Sequence, residues 1–69
     1  MLNYIAEYHI KGFELKDNKL IPCERNEEYA FESADEVLAE RIAKVHGRNL
    51  ASQLIGGEFK LERFVKVKK

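Results

Sequence analysis

The stretch LNYIAEYHIKGFELKDNKLI, residues 2–21, decides the fold. Leu2, Tyr4, Ala6, Tyr8 and Ile10 recur at every second position, with Asn3, Glu7, His9 and Lys11 between them and Ile5 as the exception. Successive side chains of an extended chain point to opposite sides, so this spacing predicts a strand with one apolar face. Gly12 interrupts, and Phe13 and Leu15 continue in the opposite phase. One extra residue produces such a shift, which predicts a β-bulge near Lys11-Gly12. Lys16-Asp17-Asn18-Lys19 reads as a hairpin turn, because Asp and Asn tolerate the positive φ that two-residue turns require. Leu20 and Ile21 begin the return strand. Pro22 has no amide proton to donate, so this strand is an edge or ends there.

Further along, Glu24–Glu28 reads as a polar loop, and Tyr29-Ala30-Phe31 as a short strand or an extended lead-in to a helix. Ser33-Ala34-Asp35-Glu36 matches the capping box, in which the Ser33 hydroxyl accepts from the Glu36 amide and the Glu36 carboxylate reaches back. Val37, Leu38, Ile42 and Val45, with Ala34, form an apolar stripe at helical spacing. Glu40 precedes Lys44 by four, the favourable order for an ion pair. Lys44 and His46 suit the negative pole of a helix, and Gly47 suits its C-cap. Leu50, Ala51, Leu54 and Ile55 are out of phase with the stripe. Either Asn49 caps a second short helix through Ile55, or one helix runs on and exposes a new face. The reading preferred is a break or kink at Gly47 with helix on both sides, the second piece within residues 48–55. Gly56-Gly57 ends it. In the last strand Phe59, Leu61, Val65 and Val67 share one face with Arg63; Lys60, Glu62, Lys66 and Lys68 lie opposite, with Phe64 among them. Lysines on such a strand guard an exposed edge. The order is strand, strand, a short third strand, helix in one or two pieces, strand. That order predicts an α+β fold, a small antiparallel sheet of three to four strands with one helical layer.

The chain has 69 residues, 45% hydrophobic and 35% charged, which is enough for one domain, residues 1–69, and a small core. The lone Cys23 excludes an internal disulfide framework and a cysteine-based zinc cluster. No apolar run approaches the roughly 20 residues needed to span a bilayer. Met1-Leu2-Asn3-Tyr4 lacks the basic start and long apolar core of a secretion signal. The expectation is a cytoplasmic protein without a membrane partner.

No catalytic set emerges. Cys23 has His9 and His46 as conceivable bases, but no motif holds them near it. The same three residues lack metal-ligand spacing, so neither metal nor cofactor is expected. Glu27-Glu28 and Asp35-Glu36 are sequence neighbours that point apart, unlike a catalytic carboxylate pair. Gly56-Gly57 precedes a strand and lacks the grammar of a phosphate-binding loop. The expectation is a protein that is not an enzyme.

Charge carries the functional signal. The formal net charge is +0, yet residues 24–40 hold Glu24, Glu27, Glu28, Glu32, Asp35, Glu36 and Glu40 against Arg25 alone, a net of −6. Residues 41–69 hold Arg41, Lys44, Arg48, Lys60, Arg63, Lys66, Lys68 and Lys69 against Glu58 and Glu62, a net of +6. Segregated charge steers charged partners. One reading is a protein-binding module that docks on a larger protein or nucleoprotein complex. Its acidic contacts would be Glu27, Glu28, Glu32, Asp35, Glu36 and Glu40, standing where phosphates stand. Its basic contacts would be Arg41, Lys44, Arg48, Lys60, Arg63 and Lys66. The alternative is direct DNA or RNA binding through the basic half. There Ala43 and Gly47 have helix-turn-helix spacing within residues 39–55, and Arg48, Asn49, Ser52 and Gln53 would begin a recognition helix. An exposed edge, such as Leu20–Pro22, would support a homodimer.

Phe31-Glu32-Ser33-Ala34 leading into Glu40-Arg41-Ile42-Ala43, with Phe59-Lys60-Leu61 as the returning strand, resembles small phage-encoded proteins of the anti-CRISPR inhibitor type. The likeness is one of layout and spans roughly the second half of the chain. It implies a non-enzymatic inhibitor in the cytoplasm of a bacterial host, acting on a host interference complex by occupying its nucleic-acid or subunit surface. These inhibitors share no common site motif, so no functional residue carries over.

Overall fold

A computed structural model of the chain describes residues 1–67. Strands β1 (Leu2–Lys16), β2 (Lys19–Ser33) and β3 (Ile55–Val67) form one antiparallel sheet in the order β2-β1-β3. Helix α1 (Glu36–Ala51) packs on one side of it. The α+β architecture with a single helical layer is as expected, with three strands among the described residues. Asp17 and Asn18 hold φ of 52° and 63° in the hairpin turn. The hairpin then pairs residue for residue, from Lys16↔Lys19 to Leu2↔Ser33.

Glu24–Glu28 is not a loop. It is the middle of β2, and Tyr29–Phe31 is the same strand continued. Cys23, Arg25, Glu27, Tyr29 and Phe31 are half-buried while the residues between them are exposed. The period of two is real but is carried largely by polar side chains. An edge strand permits this, since one of its sides faces water, and it also accommodates Pro22.

The irregularity expected near Lys11-Gly12 lies at that level, but the extra residue belongs to β3. Lys11 pairs with Glu58 and Phe13 with Ile55, so β1 advances two residues while β3 advances three. β1 therefore keeps its phase, and Phe13 and Leu15 stay on the outer face with His9 and Lys11. A second shift sits between Glu7↔Arg63 and Tyr8↔Leu61, leaving Glu62 as the extra residue. That bulge corrects the face assignment of the last strand. Phe59, Leu61 and Phe64 point toward the helix, whereas Arg63, Val65 and Val67 point away with Lys60. Lys68 lies outside the described residues.

The helix cap is two residues later than the capping box implies. Asp35 is the N-cap, and its Oδ1 accepts from the Leu38 amide at 2.8 Å. Ser33 is still in the sheet, paired with Leu2, and its buried hydroxyl donates to the Asp35 carbonyl at 2.8 Å. At the other end the helix neither breaks nor kinks at Gly47. It runs unbroken to Ala51, with Ser52 as C-cap, and residues 52–54 form a turn into β3. Gly47 is buried inside the helix because a Cβ there would lie 2.5 Å from the Phe59 ring and 2.9 Å from Tyr8. The glycine marks a close approach of helix to sheet, not a stop.

The buried helical stripe is accordingly Ala39, Ala43, Gly47 and Ala51, spaced by four. Of the residues expected to face the core, Val37 is 76% exposed, Leu38, Val45 and Ala34 are also exposed, and Ile42 alone is half-buried. The sheet explains the inversion. Tyr4, Tyr8, Tyr29, Phe31, Phe59 and Phe64 crowd the helix-facing side, with Tyr4–Phe64 and Tyr29–Phe31 ring centroids 5.3 and 5.1 Å apart. Rings supply the bulk from below, so the helix contributes small side chains from above. Tyr8 is 1% exposed, and its hydroxyl donates to the Ala43 carbonyl at 2.6 Å.

A 16-residue helix is about 24 Å long and a 15-residue strand about 50 Å, so α1 covers roughly half of the hairpin. The turn that follows it reaches the level of Gly12, where a Cβ would come 2.8 Å from Leu54 Cβ. The hairpin end, Phe13–Pro22, projects beyond it and gives the molecule extents of 47 × 17 × 14 Å.

Candidate functional site

The sheet has one covered and one open face. From β1 the open face carries Asn3, Ile5, Glu7, His9, Lys11, Phe13 and Leu15, since their neighbours in the strand point toward α1. β2 adds Glu24, Asn26, Glu28 and Glu32 to it, and β3 adds Lys60 and Arg63. Contacts on this face are polar and partly exposed: His9 Nδ1 to Asn26 Oδ1 at 3.0 Å, His9 Nε2 to Glu24 at 3.9 Å, and Arg63 Nη1 to Glu7 Oε2 at 3.4 Å.

Four of the proposed acidic residues, Glu28, Glu32, Asp35 and Glu36, follow one another along the end of β2 and the start of α1, and Glu27 and Glu40 stand apart from them. Glu28 and Glu32 stand on the open side of the β2 edge, and Glu27 stands on its helix side beside Arg25, 3.4 Å from it. Asp35 and Glu36 follow directly at the start of α1, and Glu40 pairs with Lys44 at 3.2 Å one turn on. Glu28, Glu32, Asp35 and Glu36 make no salt bridge among the described residues. The buried Tyr4 phenol lies within reach of this field. Burial raises its pKa, and the charges of Glu36 and Asp35 raise it further. Its hydroxyl has no hydrogen-bond partner.

The proposed basic residues do not share a surface. Arg41, Lys44 and Arg48 lie on the helix, and Lys66, opposite Tyr4, is on the helix side of β3. Lys60 and Arg63, opposite His9 and Glu7, are on the other side of the sheet. Lys44 and Arg63 each have a carboxylate partner. The helix-turn-helix expected over residues 39–55 is likewise absent. Residues 39–51 are one helix, and Arg48 and Asn49 belong to its last turns and begin no second helix.

The thiol and the imidazoles are separated. Cys23 lies opposite Gly12 and points to the helix side, whereas His9 points to the open face. His46 stacks on Tyr29 with centroids 3.7 Å apart, six residues along β2 from Cys23, or about 20 Å. Burial pushes the Cys23 thiol upward, and a hydrogen bond to Glu14 at 3.5 Å and its charge push it further, against a smaller opposing pull from Arg25. A thiol held protonated is a poor nucleophile. Among the described residues no group of three or more His, Cys, Asp or Glu side chains is placed to hold a metal ion. No described helix is long and apolar enough to cross a membrane.

Two contacts had no sequence signal. One is the Tyr29–His46 stack; the other joins Arg25 Nη2 to Gln53 Oε1 at 2.8 Å and ties the edge strand to the turn after α1. Both link residues more than fifteen positions apart, and no local pattern pairs them.

Fold and surfaces together define a small α+β domain with a charged exterior. Comparison with protein-family models, curated proteins and solved structures yields no match.

Proposed function

We propose that this chain is a non-enzymatic binding protein whose acidic flank occupies a phosphate-contacting surface of a larger nucleic-acid-handling complex. The observation that carries the reading is the run Glu28, Glu32, Asp35 and Glu36, exposed along the β2 edge and the start of α1 and without a salt bridge among the described residues. Carboxylates without a cationic partner in the chain keep their negative field for an external cation-rich surface, and Asp35 does so while its Oδ1 caps the helix. Each set has two members that face an opposite charge, Glu27 and Glu40 in the acidic one and Lys44 and Arg63 in the basic one. The acidic set is favoured because Glu28, Glu32, Asp35 and Glu36 follow one another from the end of β2 into the start of α1, whereas Arg41, Arg48, Lys60 and Lys66 are spread over the helix and both sides of β3. The layout shared with phage anti-CRISPR inhibitors makes a host interference complex the partner of this reading, with the protein acting stoichiometrically.

The test uses the immobilised chain in a bacterial lysate, with duplex DNA as competitor. Wild type is expected to retain nucleic-acid-binding proteins that DNA displaces, and Glu28→Lys/Glu32→Lys/Glu36→Lys is expected to lose them. Retention that DNA does not compete, or that survives the triple reversal, removes the reading. A gel shift with random duplex at two salt concentrations tests direct nucleic-acid binding. Phosphate contacts would give a shift at low salt that fades steeply as salt rises; the present reading expects none.

A further inference from the structure

The five central outward residues of β1, between Asn3 and Leu15, read Ile5, Glu7, His9, Lys11, Phe13: apolar, acid, imidazole, base, apolar. Read in the reverse direction, this row is its own complement about His9. The flanking strands extend the pattern. Ile5 lies between Ala30 and Val65, and Phe13 between Pro22 and Ile55, so two apolar bands enclose a charged belt. Phe13 is 41% exposed, and Lys11 has no salt bridge among the described residues.

We infer that this open face docks on the same face of a second copy, about a two-fold axis that crosses the strands at His9; Glu28 and Glu32 stand on this face, so the dimer and the partner-bound form proposed above exclude each other. β1 then lies antiparallel over β1. Ile5 meets the partner's Phe13, Glu7 meets the partner's Lys11, and the two His9 rings meet at the centre. Charge selects this arrangement over the other face-to-face dimer. An axis along the strands would set Glu7 on Glu7, Lys11 on Lys11 and Glu24 on Glu58. At the margins of the chosen arrangement, Glu58 approaches Arg63, while Glu24 approaches Glu28 and Lys60 approaches its own copy. Packed sheets cross about 30° from parallel, which separates marginal residues more than central ones, so the middle strand decides. Pairing edge to edge through β2 would instead bring one acid-rich strand against another. The extents of the molecule imply a footprint of roughly 700 Å² per copy, close to the ~800 Å² per partner of a standard interface. The formal net charge of +0 leaves no long-range repulsion between copies.

Within one chain Glu7 and Lys11 are four residues apart on a strand, about 13 Å, and do not touch. Glu7 does contact Arg63 of its own chain, so the exchange is made in an Arg63→Gln background, where a dimer restored by the double variant relative to that background reports contact between chains. Sedimentation equilibrium of the full chain is expected to show a dimer. In the Arg63→Gln background, Lys11→Glu and Glu7→Lys should each weaken it about tenfold or more, and the double variant Glu7→Lys/Lys11→Glu should return to within about threefold of that background. Phe13→Ser, which touches no intrachain ion pair, should weaken it by a similar factor. Far-UV circular dichroism verifies that each variant is folded. A wild type still monomeric at about 1 mM overturns the proposal, as does a folded double variant no tighter than the single ones. A dimer indifferent to Phe13→Ser overturns it as well, and points to edge pairing.

Discussion

The two faces of β1 use the same fifteen residues in opposite ways. Under α1, the sheet is a floor of rings on which Tyr4, Ala6, Tyr8 and Ile10 are buried against a helix of alanines and one glycine. On the other side Ile5, Glu7, His9, Lys11 and Phe13 remain partly or wholly exposed, joined to their neighbours by partly exposed polar contacts. Stability resides on the first face and is sensitive to volume. Recognition is free to use the second, where side chains change at little cost to folding.

That contrast is broken most directly at Gly47. Gly47→Leu drives a side chain into Phe59 and Tyr8, and is expected to cost about 3 kcal/mol or more, a large fraction of what a domain this size has. Urea denaturation should show the chain largely unfolded in buffer. Tyr8→Phe removes the buried donor to the Ala43 carbonyl and should cost about 1–2 kcal/mol by the same measurement.

The same phenol predicts a pH dependence. Burial, with Tyr29 adding to it, raises the Tyr8 pKa from 10.0 to about 12, so the folded state holds its proton after the unfolded state has released it. Its contribution is fully present below pH 10 and is lost as pH rises toward 12. Tyr8→Phe should flatten the loss of stability over that range, measured as denaturation midpoint against pH.

Smaller effects sharpen the comparison from the outside. Asp35→Ala removes the acceptor for the Leu38 amide and should cost about 1 kcal/mol, whereas Ser33→Ala, at the residue the sequence motif singles out, leaves that cap in place. An N-cap at Ser33 would reverse the order of these two variants. Val37→Ser should stay within about 0.5 kcal/mol, although Val37 heads the apolar stripe read from sequence. A loss above 2 kcal/mol would return Val37 to the core and contradict the inverted helix.

The legible part of the fold was the hairpin. Alternation in β1, Asp17-Asn18 at positive φ and Pro22 on an edge are local rules, and each held. The middle of β2 was illegible because its inward positions are Arg25 and Glu27, which a hydrophobicity pattern reads as loop. The helix was legible in existence and misread in orientation. A stripe of Val and Leu ordinarily marks the buried side, but here the sheet beneath brings six aromatic rings and leaves room only for Ala and Gly. Of the candidate site, the acidic flank was visible as a charge run, because the end of an edge strand and the start of the next helix are neighbours in sequence as well as in space. The division of the basic residues between two sides of the sheet was not, since it depends on the bulge at Glu62.

The order of elements, the turn that reverses the hairpin and the segregation of charge along the chain follow from local chemistry, which acts within a few residues and needs no neighbour from elsewhere. Which side of α1 is buried, which strand carries the extra residues, and which charges end on one surface were decided by packing. Steric fit between the helix and the aromatic sheet acts between residues distant in sequence, and no local pattern records the volume a partner will leave.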